Sequence, residues 1–298
     1  MRVVLIFIDG LGMGGSDPEK NPCVQASLNY FNNYFDRGKY VASDASIVFP
    51  LDATLGVKGL PQSATGQTAL LTGINAARHL GRHLQGFPNQ PLRDLLKEHA
   101  ISGILKKRGL RPLFVNAYRP EFFQLPERIK WRLSVTTIAN LASGLPFMTL
   151  KDLQHGRSLY HDFTNELLIQ RGFKVPRYSS EQAGAVLADI AMDYDFIFYE
   201  YFITDRVGHR QDIMMARQEI QKLDAFLSEF LMKTDLRQTR VLVTSDHGNI
   251  EDVSLKTHTY NPVMTFMMGE GSADDIRNLR SITDIASAVL HVLGVENG

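Results

Sequence analysis

Short, nearly continuous apolar runs recur along the chain and predict buried, parallel β-strands. Each run is rich in β-branched or aromatic residues, as expected for strands that are covered on both faces. Between the runs, apolar residues recur at three- and four-residue spacing, which predicts amphipathic helices. The predicted strands are Val3–Ile8, Pro112–Val115, Phe196–Tyr201, Arg240–Thr244 and Val263–Met268, and the predicted helices are Leu92–Arg108, Ser180–Asp193, Met214–Lys233 and Thr283–Leu293.

Strands that alternate with helices indicate an α/β fold, with a mostly parallel central sheet sandwiched by helices. The segment from about residue 118 to 177 is less regular, because it contains Pro120, Pro126 and Pro146 and mixes polar with apolar positions. No clean linker interrupts the sequence. We therefore predict that residues 1–298 form a single domain with a small lid or elaboration at about 118–177.

The composition limits the class of protein. The chain has 298 residues, 44% hydrophobic and 21% charged, as in a soluble globular protein with a large core. The formal net charge is zero, which argues against nucleic acid as a partner. The single cysteine, Cys23, cannot form an intrachain disulfide, and the apolar runs fall well short of the roughly 20 residues of a membrane span. We expect a cytoplasmic protein that does not bind a membrane; its oligomeric state is not predicted.

Side chains of metal-binding type follow three of the predicted strands. Functional groups in parallel sheets gather beyond the carboxyl ends of the strands, so these side chains are expected to lie close together. Carboxylate and imidazole groups suit a borderline divalent cation. Each fragment alone also fits a surface carboxylate or a hydrogen-bonded histidine, so the hypothesis rests on their joint placement. The residues are Asp9, Asp205, His209, Asp246, His247 and His258.

A small, hydroxyl-rich turn at Pro61–Gly66 leads into an apolar helix. A hydroxyl at a helix N-terminus lies near free backbone N–H groups and the positive end of the helix dipole, which favour an oxyanion and an anionic substrate. A metal ion would lower the pKa of such a hydroxyl further. The same pattern also fits an ordinary N-cap, so both interpretations stay open.

A glycine pattern after the first strand indicates an alternative of a different class. Gly10, Gly12 and Gly15 match Gly-x-Gly-x-x-Gly, which is typical of dinucleotide sites when a helix opens at the third glycine. Here Ser16-Asp17-Pro18 predicts a loop, and Asp9 would lie beside the pyrophosphate. The alternative is a nicotinamide-dependent oxidoreductase that uses the Gly10–Gly15 loop. A third option is a binding protein without catalytic activity. The complete set of candidate metal ligands argues against it.

Taken together, the motifs resemble the alkaline phosphatase superfamily, most closely its metalloenzyme branch with cofactor-independent phosphoglycerate mutase and phosphopentomutase. They occur in the family's order over nearly the whole chain, and the Asp-His-Gly-Asn and His-Thr-x-Asn-Pro-Val motifs are the specific ones. The motifs are Ile8-Asp9-Gly10, Ser63-Ala64-Thr65-Gly66, Asp205-x-x-x-His209, Asp246-His247-Gly248-Asn249, His258-Thr259-Tyr260-Asn261-Pro262-Val263 and Thr283-Asp284-Ile285-Ala286.

The resemblance implies an alkaline phosphatase-like core and two divalent metal ions, with Mn²⁺ favoured and Zn²⁺ as the alternative. It assigns one ion to Asp205, His209 and His258. It assigns the other ion to Asp9, Asp246 and His247.

The resemblance also implies a nucleophile. Counting back from Thr72-Gly73 aligns Ser63 with the family's nucleophile, and Thr65 is the runner-up. The implied activity is phosphoryl transfer to and from that hydroxyl, with a small phosphorylated molecule as the substrate. Basic residues that could bind the phosphate, or simply form a solvated face, are Arg78, His79, Arg82, His83 and Arg210.

Two departures from the mutase pattern favour a phosphatase over a phosphomutase. The chain between Gly73 and Asp205 must also build core elements, so it has little room for the inserted domain or cap of the mutases. Gln67 occupies a position that is often histidine in the mutases. We therefore predict a phosphatase or phosphoesterase, with a phosphomutase as the alternative.

Overall fold

The computed structural model describes residues 1–43, 47–272 and 278–295. Its strands are β1 (Arg2–Ile8), β2 (Tyr34–Asp36), β3 (Lys39–Val41), β4 (Val48–Leu51), β5 (Pro112–Phe114), β6 (Ala117–Tyr118), β7 (Met148–Thr149), β8 (Phe196–Tyr201), β9 (Thr239–Thr244) and β10 (Val263–Met268). Its helices are α1 (Ser63–Thr72), α2 (Ala76–Leu80), α3 (Gln90–His99), α4 (Ile101–Lys107), α5 (Pro120–Phe123), α6 (Glu127–Lys130), α7 (Val135–Ala142), α8 (Leu150–Gln154), α9 (Glu166–Gln170), α10 (Ser180–Ala191), α11 (Ile203–Gly208), α12 (Ile213–Lys233) and α13 (Asp284–Val292).

Six strands form the central sheet in the order β4-β10-β9-β1-β8-β5. β1 is parallel to β8 and β9, and β5 is parallel to β8. The predicted α/β fold with a mostly parallel sheet is confirmed. Alternate residues of β1 enter two hydrophobic cores: Val4 and Ile6 pack with α10 and α12, whereas Val3 and Leu5 pack with α1, α3 and α13.

One strand runs against the others. The Val263–Met268 run was predicted as a parallel strand, but β10 is antiparallel to both β9 and β4. A parallel neighbour would need a crossover of a dozen or more residues, usually a helix, to return the chain to the opposite edge. Residues 245–262 instead stay at the edge where β9 ends, so β10 starts there and runs back. The prediction was wrong because an apolar run carries no direction.

The predicted Leu92–Arg108 helix is two helices. α3 ends and α4 begins at Ala100, whose φ of −59° and ψ of 128° interrupt the helical path. Leu96 and Ile101 on either side of the break are both buried, so the apolar pattern continues across it and conceals it. The strand β4 was also missed; it contains Pro50 and lies at the sheet edge, where proline is tolerated.

The irregular stretch at about 118–177 divides into two parts. Helix α7 packs into the main core through Val135 and Ile138. Around it, β6 pairs with β7, and short helices enclose a small separate cluster that contains Leu153 and Leu168.

Among the described residues, no helix combines the length and the apolar character that crossing a membrane requires.

Candidate metal centre

The candidate site lies at the carboxyl edge of the central sheet. Asp9 directly follows β1, Asp205 lies in α11 just after β8, and Asp246 follows β9. Because β10 begins at this same edge, the loop between β9 and β10 never leaves it. That loop therefore holds His247 and His258 beside side chains from the other strands.

The first group comprises Asp205, His209 and His258, whose ligand atoms all lie within 4.8 Å of one another. Asp205 carboxylate oxygens lie 3.4 Å from His209 Nε2 and 3.6 Å from His258 Nε2. The other ring nitrogens are engaged: His209 Nδ1 lies 2.8 Å from the Lys256 carbonyl, and His258 Nδ1 lies 2.8 Å from the Pro61 carbonyl. An N–H on Nδ1 leaves the Nε2 lone pair free, which is how protein histidines are held for a metal.

The second group comprises Asp9, Asp246 and His247, also with ligand atoms within 4.8 Å of one another. His247 Nε2 lies 3.3 Å from Asp9 Oδ1 and 3.6 Å from Asp246 Oδ2. The two groups are neighbours, because the His247 and His258 rings stack with centroids 3.7 Å apart. The chain therefore brings together all six side chains that the resemblance assigned to metals, in the same two sets of three.

Burial and mutual repulsion shape the charges of this cluster. Burial raises the pKa of Asp9 well above its ordinary value, and the carboxyl groups of Asp246, Asp205 and Glu200 raise it further. Burial also raises the pKa of Asp246 to about 7, with Asp205 contributing, and burial lowers the pKa of His247 to about 4. Crowded carboxylates beside neutral imidazoles lack a counter-charge, which a bound cation would supply.

A second observation, an unpartnered carboxylate oxygen, also indicates that these residues suit divalent metal ions. Asp9 Oδ1 is buried, and the described residues give it no hydrogen-bond partner. A buried carboxylate oxygen without a donor is costly unless something else satisfies it. Three carboxylates and three imidazoles form a donor set that suits Mn²⁺ and Zn²⁺ alike.

Ser63 is the first residue of α1, and its Oγ lies 3.0 Å from His247 Nε2 in the second group. Thr65 has a different environment. Its side chain is fully buried, its Oγ1 donates to the Gln62 carbonyl at 3.1 Å, and Oγ1 accepts from the Leu84 N–H at 3.3 Å. Of the two candidate hydroxyls, only that of Ser63 contacts a candidate ligand.

Gln67, the departure from the mutase pattern, donates a hydrogen bond to the candidate ligand Asp246. Its Nε2 donates to Asp246 Oδ2 at 3.1 Å, and Gly10 N donates to the other oxygen of Asp246 at 3.4 Å. A buried amide donor can orient the Asp246 carboxylate, as outer-shell partners of metal ligands do.

Glu251 is a site residue that the sequence reasoning missed. Its Oε2 accepts from the backbone N–H groups of Gly12 (3.0 Å) and Asn249 (2.7 Å). Its Oε1 accepts from the Thr259 hydroxyl and from Asn261 Nδ2. This one carboxylate joins the glycine loop after β1 to both ends of the loop that carries His247 and His258. Its only sequence signal is its place two residues after the Asp-His-Gly-Asn motif.

The glycine loop does not have the form of a dinucleotide site. No helix opens at Gly15, which makes an isolated bridge with Phe35, and Gly12 bridges Val263 at the start of β10. The condition for the nicotinamide alternative is therefore not met, and that alternative is wrong. Gly12 has another role, because a Cβ there would overlap the Glu251 carboxyl group.

The two glycines give a matched test. Gly12→Ala is expected to destabilise the protein by about 1–3 kcal/mol, because the methyl group overpacks the Glu251 network. Gly15→Ala should change the free energy of unfolding by less than about 0.5 kcal/mol, since nothing lies within 4 Å of a Cβ there. Urea unfolding of both variants is the measurement. Equal losses would show that the close approach of Glu251 is not what requires Gly12.

The predicted phosphate-binding residues are not joined to the ligands. Arg78, Arg82 and Arg210 are exposed, and His83 Nε2 lies 3.1 Å from the Thr54 carbonyl. His79 in α2 is also exposed. Across the parts of the chain that the structure describes, no hydrogen bond or ion pair links these side chains to the six candidate ligands.

Part of the sequence matches known proteins. Residues 160–297 match the model of the metalloenzyme superfamily. The chain is 35% identical over 137 residues to 2,3-bisphosphoglycerate-independent phosphoglycerate mutase from Desulforudis audaxviator, covering 41% of this chain and 26% of the mutase. The mutase of Helicobacter pylori strain 26695 is 31% identical over 145 residues, covering 44% and 29%. The chain thus spans about a quarter of the length of the curated relatives it matches.

Similar solved structures cover the whole fold. The PH0037 protein from Pyrococcus horikoshii superposes with a TM-score of 0.60 at 16% identity, covering 100% of this chain and 98% of that protein. Alkaline phosphatase from the Antarctic bacterium TAB5 superposes with a TM-score of 0.57 at 13% identity, covering 99% and 98%. At these sequence identities, the similarity shows a shared fold and nothing further.

Proposed function

We propose that the chain, whose residues 160–297 match the metalloenzyme superfamily, is a two-metal phosphoryl-transfer enzyme of the alkaline phosphatase superfamily that acts through a phosphoserine at Ser63. The observation that carries the proposal is the arrangement of two adjacent three-ligand groups with the Ser63 hydroxyl beside one of them. We propose Asp205, His209 and His258 as the ligands of one ion. Asp9, Asp246 and His247 are proposed as the ligands of the other.

Bound metal ions would supply positive charge that lowers the pKa of the Ser63 hydroxyl and offsets the charge of the phosphoryl group. The remaining work falls to the chain. The Ser63 hydroxyl loses its proton to solvent water as its Oγ attacks phosphorus, the bond from phosphorus to the leaving oxygen breaks, and that oxygen takes up a proton from solvent water. Water then attacks the phosphoserine, which regenerates the Ser63 hydroxyl and releases inorganic phosphate. Gln67 and Glu251 keep the surrounding groups in position.

Between hydrolysis and mutase chemistry we propose hydrolysis of a small phosphorylated metabolite. The curated relatives are mutases, but this chain spans only about a quarter of their length. A mutase must hold its dephosphorylated intermediate until the phosphoryl group returns to it. The described segment around 118–177 has short helices and a two-stranded sheet, which is little structure for that task.

The experiment is a panel of phosphate mono- and diesters, assayed after metal removal with a chelator and reloading with Mn²⁺ or Zn²⁺. We expect metal-dependent release of inorganic phosphate, with about two ions bound per chain and Mn²⁺ the better of the two. Transfer of the phosphoryl group within a sugar or acid phosphate, without free phosphate, would support the mutase instead. Full activity in the metal-free protein would refute two-metal chemistry.

Other predictions from the sequence stay predictions. They concern a single domain over residues 1–298, a place in the cytoplasm and the absence of nucleic-acid and membrane partners. Phosphate binding by Arg78, Arg82, His83 or Arg210 also stays a prediction.

A further inference from the structure

A cavity of about 440 Å³ lies at the same edge of the central sheet as the candidate metal centre. Its floor is formed at the carboxyl ends of β5 and β8, by Asn116 and Glu200. Its walls come from Phe202, which precedes α11, and from the irregular segment, through Tyr118, Phe122 and other residues up to His161. The cavity therefore lies between the sheet edge that carries the candidate metal ligands and the irregular segment at about residues 118–177.

A backbone hydrogen bond links the lining of the cavity to the candidate metal centre. Asp9 N donates to the Tyr201 carbonyl at 2.8 Å, and Tyr201 lies between the lining residues Glu200 and Phe202. Phe202 stands three residues before the candidate ligand Asp205 in the same turn of chain. A phosphate ester whose phosphorus lies at Ser63 can therefore extend its alcohol portion toward this cavity.

Aromatic rings form much of the lining. In one wall, the Tyr118 and Phe122 rings have centroids 4.3 Å apart. In another wall, the His161 ring stacks on Phe202 with centroids 4.1 Å apart and an interplanar angle of 27°, and it meets Tyr160 in a tilted contact at 4.0 Å. Burial lowers the pKa of His161 to about 3, and the nearby Arg206 and Arg119 guanidinium groups contribute, so this ring is neutral. Flat apolar walls of this kind favour stacking with another ring.

Polar side chains of the cavity remain for a ligand. His161 Nδ1 is buried and has no hydrogen-bond partner among the described residues. The Arg119 guanidinium group lines the same cavity without a hydrogen bond or ion pair to the described residues, and so does the exposed Glu121 carboxylate. By contrast, the Tyr118 hydroxyl is already paired with Thr137 at 2.7 Å. An apolar cavity with a few convergent polar groups is the usual form of a small-molecule site.

We propose that this cavity receives the alcohol portion of the substrate and that this portion carries an aromatic ring. The inference rests on the proposed function and narrows its substrate class to phosphate esters of ring-bearing alcohols. The ring lies between the Tyr118–Phe122 wall and the His161–Phe202 wall. Arg119 and His161 Nδ1 bind heteroatoms at its edge. His161 is a specificity residue in this scheme and takes no part in the transfer step.

Benzyl phosphate and cyclohexylmethyl phosphate test the proposal, because both are esters of primary alcohols with six-membered rings and only the first ring is aromatic. We would measure Kd for each by calorimetry with Mn²⁺-loaded Ser63→Ala, which cannot turn them over. The expected result is binding of benzyl phosphate tighter by about fivefold. In a Ser63→Ala background, His161→Leu should reduce that preference to about twofold or less.

The matched control is His155→Leu, the same substitution at an exposed position in the same segment that does not line the cavity. It should keep the fivefold preference. Phe122→Leu, on the opposite wall, repeats the test if His161→Leu does not fold. Equal affinities, no binding of benzyl phosphate, or a preference that survives both cavity substitutions would overturn the proposal.

Turnover by the unsubstituted protein separates this inference from the proposed function. Metal-dependent hydrolysis of both esters at equal kcat/KM, with equal Kd values, would refute the aromatic preference and leave phosphoryl transfer intact. Ring-selective binding without any hydrolysis would refute phosphoryl transfer and leave the ring site intact.

Discussion

Ser63→Ala is expected to reduce phosphate ester hydrolysis by a factor on the order of 10⁴ or more, as loss of a catalytic nucleophile does in other enzymes. The substitution removes the only candidate hydroxyl in contact with a metal-ligand group, since Ser63 Oγ lies 3.0 Å from His247 Nε2. Metal content should stay at two ions per chain, because Ser63 is not among the six candidate ligands. The measurements are kcat/KM for the best ester of the panel and metal analysis of the same sample.

The control is Thr65→Val, which removes the other candidate hydroxyl. Activity should stay within about tenfold, because Thr65 Oγ1 bonds only backbone groups and its loss costs about 1 kcal/mol or somewhat more of stability. Acid quenching during turnover should trap phosphate on the peptide that contains Ser63. A Ser63→Ala protein as active as the original, or phosphate found on Thr65, would show that Ser63 is not the nucleophile.

Asp9→Asn is expected to lower activity by more than about 100-fold, which exceeds the usual effect of losing an outer-shell partner of a metal. The amide nearly preserves the shape of the side chain but removes the charge that one ion needs. Metal content should fall from about two ions per chain to about one. Inductively coupled plasma analysis after dialysis against Mn²⁺ measures this loss.

The same substitution should change stability in opposite directions with and without metal. In the metal-free protein, Asp9 is a buried carboxyl whose raised pKa shows that its charged form is disfavoured in the folded state. A folded-state pKa above the unfolded value means that stability falls as pH rises above about 4, so removing the charge should raise Tm at pH 7. In Mn²⁺, the variant should have the lower Tm, because it loses binding free energy. Exposed Asp193→Asn, at the other end of β8, should change neither value. A lower Tm in both conditions would contradict this electrostatic account.

The fold was largely predictable because its strands are buried on both faces. Four of the five predicted strands lie as expected in the parallel part of the sheet, and their bounds differ from the prediction by at most one residue. Direction was not predictable for β10, since the apolar character of a strand is the same whichever way it runs. The break at Ala100 was concealed because the residues on both sides of it are buried.

The grouping of the candidate metal ligands was predictable because each belongs to a short motif of unusual side chains at the end of a strand. Their division into two groups came from the resemblance, and spacing alone does not contain it. Glu251 was missed because a single carboxylate that bonds backbone N–H groups and neighbouring side chains leaves no pattern in the sequence. The cavity was missed for a similar reason: its aromatic rings are up to about 90 residues apart, and only the folded chain brings them together.

The position of β1 in the middle of the sheet has a consequence for biosynthesis. Both of its neighbours, β8 and β9, are encoded about 190 residues or more further along the chain. At roughly 5–20 residues per second, a ribosome needs on the order of 10–50 s after β1 emerges to produce both partners. Until β8 has emerged, a strand of six buried apolar residues has neither of its two edges paired, and until β9 has emerged it can have at most one edge paired. We expect this segment to be the main binding site for holdase chaperones on the nascent chain, and metal uptake to become measurable only once β9 has left the ribosome.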